Sequence, residues 1–257
     1  MTQTLAELLN ISTLALWQGF TVFLRVGALT ALMPGFGEQA VPVRIKIAIA
    51  IAFTLIVAPA VPIGDLAQSS QGIFWLIITE TVIGVILGLG LRLLVMALQM
   101  AGSIAAQSTS LAQILGTAVA EPVPAMGHIL VMGGIALAMM LGLHVKLAEF
   151  LLLSYQMMPP GALPAGEDVA QWGLDQVRQA FTLAFTLAAP FVVLSVLYNL
   201  AIGVINKAMP QLMVAFVGAP LITAGGLFLL CLASPLMLAT WIQALNLFLS
   251  NPLRPVP

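Results

Sequence analysis

Long, unbroken apolar runs alternate with short interruptions rich in proline, glycine and charge. Boundaries placed at those interruptions predict six helical segments, at about residues 14–33, 45–63, 73–98, 128–155, 179–206 and 211–249. Most approach or exceed the roughly 20 residues needed to cross a hydrocarbon layer about 30 Å thick. The runs are continuous, as from Ile45 to Ile63, and lack the apolar/polar alternation over about 10 residues that marks a membrane β-barrel. The pattern therefore predicts an all-α, multi-helix membrane protein with kinked helices. The sixth segment is too long for one simple crossing. It contains Gly218, Pro220, Gly225, Gly226 and Pro235, so it either kinks or folds back as a hairpin.

Two connections stand out by composition. The first, GSIAAQSTSLAQILGTAVAEPVP from Gly102 to Pro124, suits neither lipid nor a solvated linker. On a helix, Gln99, Ser103, Gln107 and Ser110 would form one polar stripe beside small glycine and alanine residues, and such a stripe prefers protein or water to lipid. The second begins PPGALPAG at Pro159 and continues EDVAQWGLDQVRQ, a polar loop running into a short amphipathic helix. No short-period repeat is present. One membrane domain over 1–257 is the simplest division, with 1–178 and 179–257 as a possible subdivision.

Composition supports the membrane assignment: 61% of the 257 residues are hydrophobic and 7% are charged, against roughly 25% charged in a soluble domain. The net charge of −1 comes from scattered single charges, leaving no basic patch for nucleic acid. Arg44, Lys46, Arg92 and Lys207 fall at alternating segment ends and mark the cytoplasmic side, which places both termini outside. The first apolar stretch follows Glu7 and ends in PGFGE, without basic flank or cleavage site, and is read as retained. Cys231, the single cysteine, lies in LFLLCLA and reads as a small buried hydrophobe.

No equipment for catalysis is visible. His128 and His144 lie in different helix phases, unsuited to a metal site, and read as ordinary packing; no GxxxxGK[ST], HExxH or GxSxG motif occurs. No cofactor is expected. An intramembrane charge costs at least about 2.5 kcal/mol at the bilayer centre, so Arg25, Glu80 and Arg92 are singled out. They form part of a proton or ion pathway, or they face protein, with Arg25 and Glu80 pairing with each other or with another subunit. Gly84, Gly88, Ala97, Ala101 and Ala105 place small side chains where helices can approach, within the chain or between subunits. Met132, Met139, Met140, Met157 and Met158 would line a deformable seal or, more commonly, fill core gaps.

The stretch GVINKAMPQLMVAFVGAPLITAGGLFLL resembles the signature of the flagellar biosynthetic protein FliR family and its injectisome relatives, through Lys207, Pro210, Gln211, Gly218 and Pro220. The opening FLRVGALTALMPGFGEQAVPVRIKIAIAIAF is similar to that family's beginning at Arg25, Pro34, Gly37, Pro42 and Arg44, and ETVIGVILGLGLRL resembles its third helix. Met213 and the LIT after Pro220 depart from the usual pattern. The resemblance covers nearly the whole chain. PQL beside Lys207 favours flagellar over virulence systems.

The resemblance implies a type III secretion export-gate component of the bacterial inner membrane, in the flagellar basal body. It implies a FliP-like N-terminal part fused to a FliQ-like C-terminal hairpin. Implied partners are FliP-like and FliQ-like membrane subunits, further export proteins such as FlhB, unfolded exported substrates and membrane lipid. In position, the small polar segment with Gly102, Gln107, Ser108, Ser110, Gln113, Gly116 and Glu121 is similar to the loop that plugs the closed channel. A buried connector remains the bland reading of that segment. Arg25, Glu80, Arg92, Lys207, Pro210 and Gln211 are the candidate assembly residues. Two other classes stay open: a stand-alone ion- or solute-coupled transporter using Glu80, and a structural scaffold.

Overall fold

The computed structural model describes residues 2–38, 41–61, 70–109, 125–209 and 214–253. These residues form seven α-helices and no strand: α1 (Thr2–Thr30), α2 (Val43–Val57, extended by a 3-10 turn at Ala58–Ala60), α3 (Ser70–Thr109), α4 (Ala125–Met140), α5 (Leu143–Met157), α6 (Gly166–Ala208) and α7 (Val214–Ser250). The six predicted segments are all helical, with three revisions. The third runs on to Thr109, because its Ala, Ser and Gln residues contain no breaker after Gly102. The fourth is broken at Gly142, whose φ of 78° is left-handed and suits glycine. The expected short amphipathic helix is the start of α6, which continues without interruption. The sixth segment is one helix, with Pro220 and Pro235 inside it.

Among the described residues, four helical stretches are long and apolar enough to cross a membrane: Val43–Ala60, Gly72–Thr109, Gly166–Ala208 and Pro220–Ser250. Taken as one broken span, Ala125–Met140 with Leu143–Met157 makes a fifth. At 1.5 Å per residue the 40 residues of α3 rise about 60 Å, twice the hydrocarbon thickness, and α6 is longer still.

The chain divides into two compact units built from discontinuous stretches. Unit 1 comprises 1–92, 139–175 and 247–257. Within it α1 and α3 run parallel and nearly touch: a Cβ on Gly84 would meet the Arg25 carbonyl and Ala28, and one on Gly88 would meet Leu32. α2 packs against α1. The Gln18 amide donates to the Ala58 and Val61 carbonyls (2.6 and 2.7 Å) at its end, and Lys46 Nζ donates to Gly37 O (2.9 Å) near its start. The last turn of α7 closes the unit, with the Phe248 ring 5.8 Å from that of Phe150 and Trp172 Nε1 donating to Pro252 O at 2.7 Å.

Unit 2 comprises 93–138 and 176–246. α3 and α4 run antiparallel, with Gly102 packed on the Gly127 backbone and Leu98 on Gly134. Trp241 of α7 is fully buried and donates to Leu94 O at 2.8 Å, while Gly226, fifteen residues earlier, faces Thr109, fifteen residues after Leu94. α7 is therefore antiparallel to α3 in constant register. Ala97 packs with Ala180 and Ala184 of α6. The small residues singled out in sequence thus serve close packing within the chain.

The glycine at the α1/α3 crossing provides a test. Gly84→Ala forces a methyl into the Arg25 carbonyl and is expected to destabilise by about 1–3 kcal/mol. Gly19→Ala, with open space around its Cβ, is expected to stabilise by about 0.5–1 kcal/mol. Thermal unfolding of the two variants in one detergent checks this, and shifts of the same sign would refute the close crossing.

Candidate functional site

The parallel crossing of α1 and α3 brings Arg25 of one helix level with Glu80 of the other. Both are fully buried. Arg25 Nε donates to Glu80 Oε2 at 2.8 Å and Nη2 to Oε1 at 3.1 Å, a bidentate pair. Nη1 donates to the carbonyl and Oγ of Ser154 (3.1 and 3.3 Å), and Nη2 also to Met158 O (2.9 Å). All five guanidinium N–H groups therefore find an acceptor. Ser154 O, which also accepts the Met158 N–H at 2.9 Å, lies in the last turn of α5 and Met158 O at its C-cap; both are at the helix end that carries partial negative charge, so Arg25 also caps that helix.

The surroundings complete the cage. The Tyr155 ring lies 3.8 Å from the guanidinium carbon, a cation–π contact. Glu80 Oε1 accepts the Gly161 N–H at 3.2 Å, and Trp75 Nε1 donates to Gly161 O at 2.9 Å. Gly161 has a φ of 78°, which turns its amide toward the carboxylate. Ser154, Tyr155, Trp75 and Gly161 were not singled out in sequence. Trp75 and Tyr155 looked like ordinary apolar-run residues, and the PPG turn signalled only a loop.

Of the alternatives for Arg25 and Glu80, the structure has the pair within the chain. Arg92 is half-buried and donates to Glu38 Oε1 at 3.2 Å, tying α3 to the turn after α1. It lies twelve residues beyond Glu80, a rise of about 18 Å. Lys207 is exposed near the end of α6, whereas Pro210 and Gln211 lie outside the described residues.

Gly102, Gln107 and Ser108 are on the last turns of α3, and Ser110, Gln113, Gly116 and Glu121 lie outside the described residues. Gly102 is buried against α4, Ser108 Oγ donates to Ala105 O at 2.8 Å, and Gln107 is exposed. Gln99 is also exposed and Ser103 half-buried, so three members of the predicted stripe share one outward face.

Three packing expectations are corrected. Cys231 is exposed on α7, because its run is apolar on every face and the helix buries only part of it. His128 and His144 are exposed rather than packed. Met132 and Met140 are 70% and 84% exposed, so only some of that methionine group fills gaps; Met158 is buried.

Removing one partner of the buried ion pair strands the other charge. Arg25→Met and Glu80→Leu are each expected to cost about 3–5 kcal/mol. The double variant is expected to lose less than the sum. Unfolding of the four proteins in detergent measures the coupling, and strict additivity would mean the pair does not hold these helices together.

Residues 16–248 match the family of bacterial export proteins, family 1. The chain is 35% identical to the flagellar biosynthetic protein FliR of Caulobacter vibrioides over 224 residues, covering 86% of this chain and 89% of that protein. It is 28% identical to the FliR of Escherichia coli, over 85% and 84% of the two chains, and 30% identical to that of Pectobacterium carotovorum, over 86% and 85%. With a helical fold that suits the membrane and a match over residues 16–248, this chain belongs to the family of bacterial export proteins that includes the FliR flagellar biosynthetic proteins.

Proposed function

We propose that this chain is a non-enzymatic subunit of the flagellar type III protein export gate, helping to form and close the channel through which unfolded substrates pass. The observation that carries this reading is the kinship with FliR proteins across more than four-fifths of the chain. The helices support it. They expose large apolar side chains along α6 and α7, such as Phe185, Leu200, Phe228 and Leu236, a surface for lipid and for neighbouring membrane subunits. Those subunits would be FliP-like and FliQ-like, with FlhB among the wider apparatus, in the bacterial inner membrane. The FliQ-like part would be the pair of helices from residue 179 onward, joined through 209–213.

In this reading the segment from Gly102 to Glu121 plugs the closed channel. Its first eight residues end α3, and the Gly, Ser, Ala and Gln residues that follow suit irregular backbone only where protein or water surrounds it. Arg25, Glu80 and Arg92 fix the scaffold, while Lys207, Pro210 and Gln211 face partners. The transporter alternative is less favoured because Glu80, the carboxylate it would have to titrate, is committed to Arg25 and to the Gly161 amide.

Two measurements test the proposal. Co-expression with the neighbouring membrane-protein genes, purification through a tag on this chain and native mass spectrometry should yield one copy with several copies of two small membrane partners; a monomer or homodimer would overturn it. Deleting residues 107–118 should raise ion leakage through the assembled gate, and unchanged leakage would leave the segment a connector.

A further inference from the structure

The last turns of α3 carry an outward polar strip that the packing of the described residues of unit 2 leaves unused. Gln99 and Gln107 are exposed, and their side-chain amides make no hydrogen bond among the described residues. Ser103, between them, is half-buried and donates to Gln99 O at 2.9 Å, leaving its oxygen free to accept. Met96, 43% exposed, extends the strip by one turn toward the middle of the helix. The opposite side of the same turns is spent on packing: Ala97, Ala101 and Ala105 are fully buried.

The strip lies in a part of the protein that is almost without charge. Of the eight basic and nine acidic residues, unit 2 contains only Glu121, Arg178 and Lys207. Lipid is a poor neighbour for such a strip, since an amide moved into hydrocarbon without a partner costs roughly 2–7 kcal/mol. A helix of another subunit is a poor complement too, because its backbone groups are already paired internally and only an occasional side chain could answer the two glutamines. An extended chain differs. Each residue presents an N–H and a C=O that need partners, and groups on one side recur about every 6.6 Å. Positions four apart on a helix rise about 6 Å, so Gln99, Ser103 and Gln107 nearly match that repeat.

Resting on the export-gate reading, we propose that Gln99, Ser103 and Gln107 form a neutral strip that the extended backbone of the exported polypeptide contacts during passage. Amide and hydroxyl groups both donate and accept, so the strip serves a backbone of any sequence. The scarcity of charge avoids trapping acidic or basic stretches of the substrate. The flexible thioether of Met96 adapts to passing side chains of different size.

The test uses the full chain in the flagellated cells that make it, with Cys231→Ser removing the native thiol. Single cysteines replace Gln99, Ser103 or Gln107, and Phe228 or Leu232 as exposed apolar controls on α7. An export substrate fused to a domain that cannot unfold, with cysteines in its linker, is stalled in passage and oxidised. Disulfide adducts between substrate and each strip position, absent at Phe228 and Leu232, are the expected result. Adducts only to other membrane subunits, or equal yields at strip and control positions, would overturn the strip. Where a cysteine variant does not accumulate, a photo-crosslinking amino acid at the same position gives the same readout. Deleting the gene distinguishes the two levels: export that continues without this chain defeats the gate reading itself, whereas export that stops, with no strip adducts, defeats the strip alone.

Discussion

A guanidinium buried with its carboxylate is a demanding thing to fold around. Arg25 uses all five of its N–H groups, on a carboxylate from α3, on three acceptors in the last turn of α5 and just beyond it, and Glu80 takes a further amide from Gly161. This arrangement of three helices and a turn meets every one of those requirements. Replacing such a pair with apolar side chains is often neutral for stability, so its effect is best understood as specification. A helix pair that slides by one turn leaves a bare charge in a low-dielectric interior, and every neighbouring register becomes costly. The glycines at 84 and 88 make the arrangement reachable, since any larger side chain would hold α1 and α3 too far apart for the bidentate contact.

The same device recurs elsewhere without charge. In unit 2, Gly102 against Gly127 and Ala97 against Ala180 and Ala184 bring backbones close, and Trp241 binds one backbone carbonyl of α3. In a membrane the hydrophobic effect gives little drive for helix association, so close van der Waals contact and a few well-placed hydrogen bonds carry the packing. The small residues are thus used up inside the chain. Much of what remains outward is large and apolar, as along α6 and α7, or neutral and polar, as on the end of α3.

The sequence was informative where one physical requirement dominated. Helix positions followed from uninterrupted apolar runs, and the importance of Arg25 and Glu80 followed from the cost of charge in hydrocarbon. It was less informative where the answer depends on which face a residue takes. Cys231, His128, His144, Met132 and Met140 read as packed because their runs are apolar all round, and periodicity then gives no direction. The end of α3 was blurred for a related reason, since Gly102 and the Ser/Gln-rich turns after it resemble a loop by composition while containing no residue that stops a helix. Trp75, Ser154, Tyr155 and Gly161 escaped notice because their roles exist only once α1, α3 and α5 are assembled.

The uneven distribution of charge links the two halves of this picture. Unit 1 holds most of the charged side chains, and two of its arginines have carboxylates built for them: Glu80 for Arg25 deep inside, and Glu38 for Arg92 about 18 Å further along α3. Unit 2 avoids the problem by carrying almost none, and draws its polarity from amides and hydroxyls. Amides and hydroxyls require hydrogen bonding but not a counter-charge, so a surface made from them can meet a succession of different neighbours without an ion-pairing penalty at each step. The same logic explains why polar side chains persist on α3 at positions where a purely lipid-facing helix would carry leucine or isoleucine.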